Sequence, residues 1–202
     1  GTANGAGNGY LVYVGTNGVL SSAGNIDVSG GIFGSTTPSL SNGGSGDDAG
    51  WNLIGNPFPC GINFFDLSTS NVEGGYSIWN PSSGSYSAYS NASAGNPRIP
   101  PMQAFWVKAN GGSPSLGSIS MSAHCDVENV STFLKTNNTP TDRIYLHSFE
   151  QADPSHRDEL LIALVPGTQD GLDAQWDVSK RLNASTVPSL MSAANGDELA
   201  IN

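Results

Sequence analysis

Short runs in which apolar and polar residues alternate are the main pattern along this chain. The alternation predicts β-strands in residues 10–14, 25–33, 75–79, 85–89, 104–109 and 143–149, because neighbouring side chains of a strand point to opposite faces. Turn-forming sequences separate these runs, and residues 80–84 join two of them into a hairpin. Repeated short strands at close spacing are typical of a β-sandwich and not of βαβ units.

One segment, residues 51–59, has the pattern of a strand that stops abruptly. Trp51 supplies a β-prone aromatic side chain, and the two prolines after Asn56 remove backbone donors and restrict the direction of the chain. The sequence therefore predicts a strand followed by a corner. We expect a structural role for the residues of this segment and for one tryptophan of the strand at 104–109: Trp51, Gly55, Asn56, Pro57, Pro59 and Trp106.

The composition of the chain changes after Cys125. Charged residues become frequent from Asp142 onward, and residues 160–165 form a continuous apolar run, as expected of a strand buried on both faces. Residues 173–183 have the pattern of a helix, with Asp173 as its N-cap and Trp176 facing inward. Residues 199–201 predict a last strand.

Together these patterns predict an all-β fold made of antiparallel, jelly-roll-like β-sandwich layers, with one short helix near the C-terminus. We expect residues 1–126 to form a β-sandwich that contains the corner. Residues 127–202 then form a second β-rich layer or subdomain, which carries the short helix and packs on the first.

Composition restricts the partners of the protein. Only 12% of the 202 residues are charged, the net charge is −10, and the first basic residue is Arg98. Such a surface disfavours nucleic acids and anionic membranes, because both attract basic side chains. No apolar stretch is long enough to cross a bilayer, and the first residues lack the features of a signal peptide. We therefore expect no membrane insertion, and a chain that is mature or a fragment.

The two cysteines, Cys60 and Cys125, allow two interpretations. In an oxidising compartment, a disulfide between them would close a loop of about 65 residues and stabilise the fold by roughly 4 kcal/mol. The alternative is a pair of buried free thiols.

No arrangement of catalytic residues stands out in the sequence. Ser155 and His156 belong to residue types found in catalytic triads, but neighbours in one turn cannot form triad geometry among themselves. We therefore expect no enzymatic activity and no cofactor. Calcium is the metal for which the chain offers candidate oxygen ligands, the carboxylates of Asp170, Asp173 and Asp177, although helix capping and solvated loop charge are the favoured explanation of these residues.

Aromatic side chains on the predicted hairpin offer a candidate ligand site. Trp79, Tyr86 and Tyr89 lie among Ser and Asn residues, which makes them candidates for a platform on which sugar rings stack. The alternative is that Tyr76, Trp79, Tyr86 and Trp106 pack the core. Alternation places Tyr76 and Trp79 on opposite faces, so both are core residues only if the sheet is covered on both sides or carries a bulge.

Several motifs together resemble a known family. They are residues 50–59 (GWNLIGNPFP), 99–108 (IPPMQAFWVK), 158–162 (DELLI) and 196–202 (GDELAIN). In this combination the chain resembles the β-rich region of secreted and surface proteins of Bacteroidota that precedes the type IX secretion C-terminal sorting domain. Cys60 departs from the pattern, which more usually has a small hydroxyl residue there. The resemblance implies export and a secreted or cell-surface location, but no particular activity.

From these observations we expect a non-catalytic, secreted cell-surface module for adhesion or extracellular structure. Its partners would be copies of itself or neighbouring surface proteins, because strands that lie near the ends of a weakly charged chain are suited to edge pairing. The alternative is a carbohydrate-binding module of a secreted polysaccharide-degrading protein, with an extracellular glycan as ligand. Self-complementary edge strands would favour assembly, whereas a line of exposed aromatic side chains would favour glycan binding.

Overall fold

A computed structural model of the protein describes residue 9 and residues 35–58, 60–93, 98–117, 119–120, 142–168 and 171–202. The strands predicted at residues 10–14 and 25–33 lie outside these ranges, as do Pro59, Cys125 and Asp170. The predicted division after residue 126 also falls outside them and stays a prediction.

The described residues contain thirteen β-strands and two short 3-10 helices. The strands are β1 (Ser35–Thr36), β2 (Trp51–Gly55), β3 (Thr69–Ser70), β4 (Gly75–Asn80), β5 (Ser85–Ser90), β6 (Ala104–Lys108), β7 (Ser115–Leu116), β8 (Ile119–Ser120), β9 (Asp142–Phe149), β10 (Arg157–Leu164), β11 (Val178–Ser179), β12 (Ser192–Ala194) and β13 (Asp197–Ile201). The 3-10 helices lie at Gly46–Asp48 and Phe64–Asp66. Two further pairs of short strands, β1 with β8 and β3 with β7, lie outside the two main sheets.

Four antiparallel strands in the order β2-β6-β4-β5 form the first main sheet. β4 and β5 are the predicted hairpin, in which Gly75 lies opposite Ser90 and Asn80 lies opposite Ser85. β6 lies between β2 and β4, with Leu53 opposite Trp106. Because side chains alternate along each strand, the sheet has two distinct faces.

One face of this sheet covers the larger hydrophobic core. In this core, the ring centroid of Phe64 lies 5.1 Å from that of Tyr76 and 6.2 Å from that of Phe105. The buried members of this core are Ile54, Phe58, Ile62, Phe64, Leu67, Val72, Tyr76, Ile99, Phe105, Val107 and Leu116. Most of them come from the strands and from the loop residues that follow the corner.

The second main sheet has the order β11-β13-β10-β9, and β12 also pairs with β13. β9 and β10 form a regular antiparallel pair along their whole length, whereas β10 and β13 run parallel. This sheet contacts the first one at β5, through β10, β11 and β13. A smaller core fills the contact, with Ala92, Leu161, Val178 and Ile201 buried together. The first sheet is therefore covered on both faces near β5.

The prediction of an all-β fold built mainly of antiparallel strands is confirmed. The hairpin at 75–89, the strand at 104–109, the strand at 143–149 and the last strand at 199–201 all occur close to their predicted positions.

The short helix predicted at residues 173–183 is wrong, and the described part of the chain contains no α-helix. Asp173 instead closes a turn, because its carbonyl oxygen accepts hydrogen bonds from the backbone of Trp176 and Asp177. Val178 and Ser179 then pair with β13. An isolated helix of about 11 residues is marginal in water, so burial of Val178 and strand pairing decide the local structure.

The corner after β2 is held by the buried side chain of Asn56. Its Nδ2 donates to the carbonyl oxygens of Cys60, Ile99 and Pro100 at 2.8, 3.1 and 3.0 Å. Its Oδ1 accepts from the backbone of Phe58 at 3.0 Å. The predicted strand and corner are confirmed, and the amide of Asn56 joins the corner to the chain that leads into β6.

We predict that Asn56→Ala lowers the free energy of unfolding by about 2–4 kcal/mol, because the backbone groups of Phe58, Cys60, Ile99 and Pro100 lose their bonds to this buried side chain. Asn52→Ala is the matched control, since Asn52 makes similar bonds to Ser41 at the exposed loop before β2. Its expected cost is about 1 kcal/mol or less. Urea denaturation of both variants measures the loss of unfolding free energy. Equal losses in the two variants would contradict the conclusion that Asn56 holds the corner.

Candidate functional site

The three aromatic residues predicted to bind glycan divide between the two faces of the hairpin. Trp79 and Tyr86 lie opposite each other on β4 and β5, with ring centroids 5.1 Å apart, and Trp79 remains 39% exposed. Tyr89 points to the other face, where its ring lies 5.3 Å from that of Tyr76 in the larger core. The three residues therefore do not form one flat platform.

Tyr86 and Tyr89 nevertheless meet at a cavity beside the outer edge of β5. The cavity measures about 90 Å³ and is lined on its other side by Tyr145 of β9 and Glu159 of β10. The buried side chains of Leu161 and Ile201 contribute an apolar surface to it. It is smaller than the ~300–1,000 Å³ of typical enclosed ligand pockets, so it can hold only part of a larger molecule.

β9 forms an exposed apolar strand at the end of the second sheet. Most of the exposed large hydrophobic side chains in the described residues belong to β9 and β10: Ile144, Tyr145, Leu146, Phe149 and Leu164. They occupy both faces of β9, because Ile144 and Leu146 alternate with Tyr145. Large exposed apolar patches on soluble proteins commonly mark interaction surfaces.

A buried hydrogen-bond network connects the two sheets. The Glu73 carboxylate accepts from the backbone N–H of Ser179 at 2.8 Å and from its hydroxyl at 2.6 Å. Lys108 donates to the same hydroxyl at 2.8 Å. Burial raises the pKa of Glu73 above its ordinary value of 4.5, although the bonds from Ser179 and the charge of Lys108 act in the opposite direction.

Arg181 rests on the aromatic residues of the first sheet. Its guanidinium lies 4.5 Å from the ring centroid of Trp106, 5.6 Å from Trp51 and 5.8 Å from Tyr86, and it also forms an ion pair with Asp48. These distances fall within the range of cation–π contacts. Trp51 and Trp106 thus lie on the face opposite the larger core, where the second part of the chain covers them.

The remaining residues with a predicted structural role lie at the corner. Gly55 ends β2 opposite Ala104, and Pro57 is half-buried next to Asn56. Pro59 lies outside the described residues.

A second buried charge pair stabilises the second sheet. Lys180 donates to the Asp158 carboxylate, and the backbone N–H of Leu190 donates to the same oxygen at 2.6 Å. Burial lowers the pKa of Lys180, and the contact with Asp158 opposes this effect. Both side chains are almost completely buried, so the pair anchors the loop before β12 to β10 and is closed to a ligand.

The residues with catalytic potential form a surface turn. The hydroxyl of Ser155 donates to Asp153, and His156 Nδ1 lies 3.2 Å from Glu150. The serine is therefore bonded to a carboxylate and not to the imidazole, so this turn lacks the arrangement of a nucleophile and its base.

The calcium candidates are engaged in a turn of the backbone. Asp177 accepts from the backbone N–H of Asp173 at 2.7 Å, and Asp173 accepts from the backbone of Gln175 at 3.1 Å. Burial raises the pKa of Asp177. Asp170 lies outside the described residues, which contain no group of three or more His, Cys, Asp or Glu side chains that could hold a metal ion.

Cys60 is disulfide-bonded, and the carbonyl oxygen of the same residue accepts from Asn56. Cys125 is the only other cysteine of the chain and lies outside the described residues. The pairing of the two stays a prediction. Among the described residues, no helix is long and apolar enough to cross a membrane.

Sequence reasoning did not identify Tyr145, Glu159 or the exposed side chains of β9. A signal for β9 was present, because apolar residues occupy both alternating positions between Ile144 and Phe149. No comparable signal existed for the cavity, whose walls come from distant parts of the chain.

We predict that the stability of the wild type relative to Glu73→Gln falls as the pH rises above about 4.5. The pKa of Glu73 is higher in the folded protein than in the unfolded chain. Its protonated form therefore adds to the stability of the folded state, and this added stability is fully present below the pKa of the unfolded chain. That contribution is lost as the pH rises through the folded pKa, whereas glutamine does not ionise. Urea denaturation across pH 4–8 measures the difference, with the exposed Glu198→Gln as control. A difference that does not change with pH would contradict the prediction.

No protein-family model, curated protein sequence or solved structure matches this chain.

Proposed function

We propose that this protein is a non-catalytic, secreted cell-surface module that contributes to adhesion or extracellular structure by pairing with a second copy of itself through β9. The observation that carries the proposal is the position and composition of β9. It is the last strand of its sheet, and its outer edge has no strand partner among the described residues.

The length and regularity of β9 support this role. Its eight residues span about 26 Å, and its register against β10 contains no bulge. Proteins commonly protect edge strands with prolines, bulges or inward-pointing charges. β9 contains no proline and no bulge. It carries one inward-pointing charge, Arg143, whose side chain donates to the carbonyl oxygen of Ala92.

The exposed side chains also support strand pairing. Ile144 is 54% exposed, Leu146 is 43% exposed and Phe149 is 64% exposed. Burying such side chains against a partner contributes roughly 25 cal/mol for each Å² of apolar surface removed from water. An interface of this kind would cover exposed apolar side chains of β9.

The sequence of β9 is compatible with self-pairing. An antiparallel pair centred on Tyr145 places Ile144 of one copy opposite Leu146 of the other, and it does so twice by symmetry. The same register brings no two carboxylates and no two guanidinium groups opposite each other. A second copy is therefore the partner that this edge fits best.

The test compares wild type with Leu146→Lys by light scattering and sedimentation over a range of protein concentrations. We expect concentration-dependent association of the wild type, and an association constant at least about tenfold lower for the variant. Met102→Lys is the matched control, because Met102 is 70% exposed but lies away from β9. Negative-stain images then distinguish dimers from filaments.

A wild type that stays monomeric at the highest accessible concentration would overturn the proposal. So would equal association of the wild type and Leu146→Lys. A loss of association in Met102→Lys alone would assign the interface to another surface.

Carbohydrate binding is the second candidate function. It is favoured by the exposed ring of Trp79, which contacts Tyr86, and by the position of Tyr86 and Tyr89 at one cavity. Sugar rings bind to aromatic side chains that are partly exposed and carry polar groups nearby, which fits this edge of the first sheet.

A further inference from the structure

The cavity beside β5 lies between the two sheets. One wall is the outer edge of β5, which is the last strand of the first sheet. The opposite wall consists of Tyr145 and Glu159, whose strands pair directly, so that both side chains point to the same face. Leu161 of β10 and Ile201 of β13 are buried beneath them.

The edge of β5 offers backbone hydrogen-bonding groups to this cavity. The N–H of Tyr86 points outward to the side chain of Asn183, at 3.0 Å, and the N–H of Ser90 points outward to the hydroxyl of Ser93, at 2.9 Å. Ala88 lies between them, and alternate residues of an antiparallel strand direct their N–H and C=O groups to the same side. Ala88 therefore presents a donor and an acceptor at the wall of the cavity.

The side chains around the cavity combine aromatic surface with polar groups. Tyr86, Tyr89 and Tyr145 supply rings that carry hydroxyl groups, and Glu159 supplies a carboxylate at the rim. The carboxylate is about half exposed and lies 3.5 Å from His147 Nδ1, so it remains accessible to a ligand.

The charges around the cavity favour an uncharged ligand. Among the described residues that line the cavity there is no Lys or Arg, so a phosphate, a sulfate or an acidic sugar finds no cationic partner among them. Arg143 lies on the same face as Tyr145, two residues before it, and donates to Ala92 beside Ser93 at 2.7 Å. The one carboxylate in the lining, Glu159, already lies 3.5 Å from His147 Nδ1.

We infer that this cavity binds a neutral sugar residue at the end or edge of a glycan. Tyr86, Tyr89 and Tyr145 contact the sugar ring, Glu159 accepts a hydrogen bond from a hydroxyl group, and Ala88 offers backbone donor and acceptor groups. The small volume admits one part of a sugar ring, while the rest of the glycan stays outside the cleft. This inference rests on carbohydrate binding, the second candidate function, and does not require association through β9.

The experiment uses saturation-transfer NMR with the methyl glycosides of glucose, galactose, mannose and N-acetylglucosamine as probes. We expect at least one of them to bind the wild-type protein with a dissociation constant of about 1–10 mM. Tyr145→Ala and Glu159→Gln should each weaken that binding at least about tenfold, because each removes a contact from the cavity wall. Met102→Ala is the control, since Met102 is 70% exposed and does not line the cavity.

The possible outcomes distinguish a wrong site from a wrong function. Suppose that Trp79→Ala abolishes binding while Tyr145→Ala and Glu159→Gln bind normally. The protein then binds carbohydrate on the outer face of the hairpin, and the inference about the cavity is wrong. If none of the four glycosides binds, both the inference and the carbohydrate alternative fail. Binding of choline in place of the glycosides would overturn the inference in favour of a cation site. Far-ultraviolet circular dichroism and a urea titration confirm that each variant is folded.

Discussion

The bond between the Glu73 carboxylate and Ser179 is the interaction on which the arrangement of this protein depends. It joins a residue beside β4 to one in β11 with two hydrogen bonds, and both partners are buried. A carboxylate in such a position is costly unless it is fully bonded, so this contact allows few alternative ways of docking the two sheets. The outer edge of β5 then faces β9 and β10. The cavity and the exposed side of β9 are both consequences of this docking.

Many elements of the fold follow from local rules that can be read in the sequence. Alternation of apolar and polar residues predicted the hairpin of β4 and β5, the central strand β6 and the edge strand β9, and all are present. The corner after β2 was predicted because prolines and Gly55 forbid continuation of the strand. Pattern alone could not identify Asn56 as the residue that holds it, because the carbonyl oxygens of Ile99 and Pro100 are distant in the sequence.

The errors and omissions have a common physical origin in long-range packing. The segment after Asp173 has a helical pattern, but Val178 gains more from burial beside Leu161 and Ile201 than from a short helix. The predicted glycan platform was divided because Tyr89 packs on Tyr76 in the larger core. Tyr145 and Glu159 could not be assigned to a site from sequence, because only the docking of the second sheet brings them to β5.

We propose the outer edge of β9 as the association surface for a second copy. Hydrogen–deuterium exchange of the intact protein at low and high concentration tests it most directly, because pairing protects the amides of an edge strand. We expect exchange in residues 142–149 to slow as concentration rises, and exchange in residues 75–80, the strand β4 inside the first sheet, to stay the same. Exchange in β9 that is independent of concentration would contradict it.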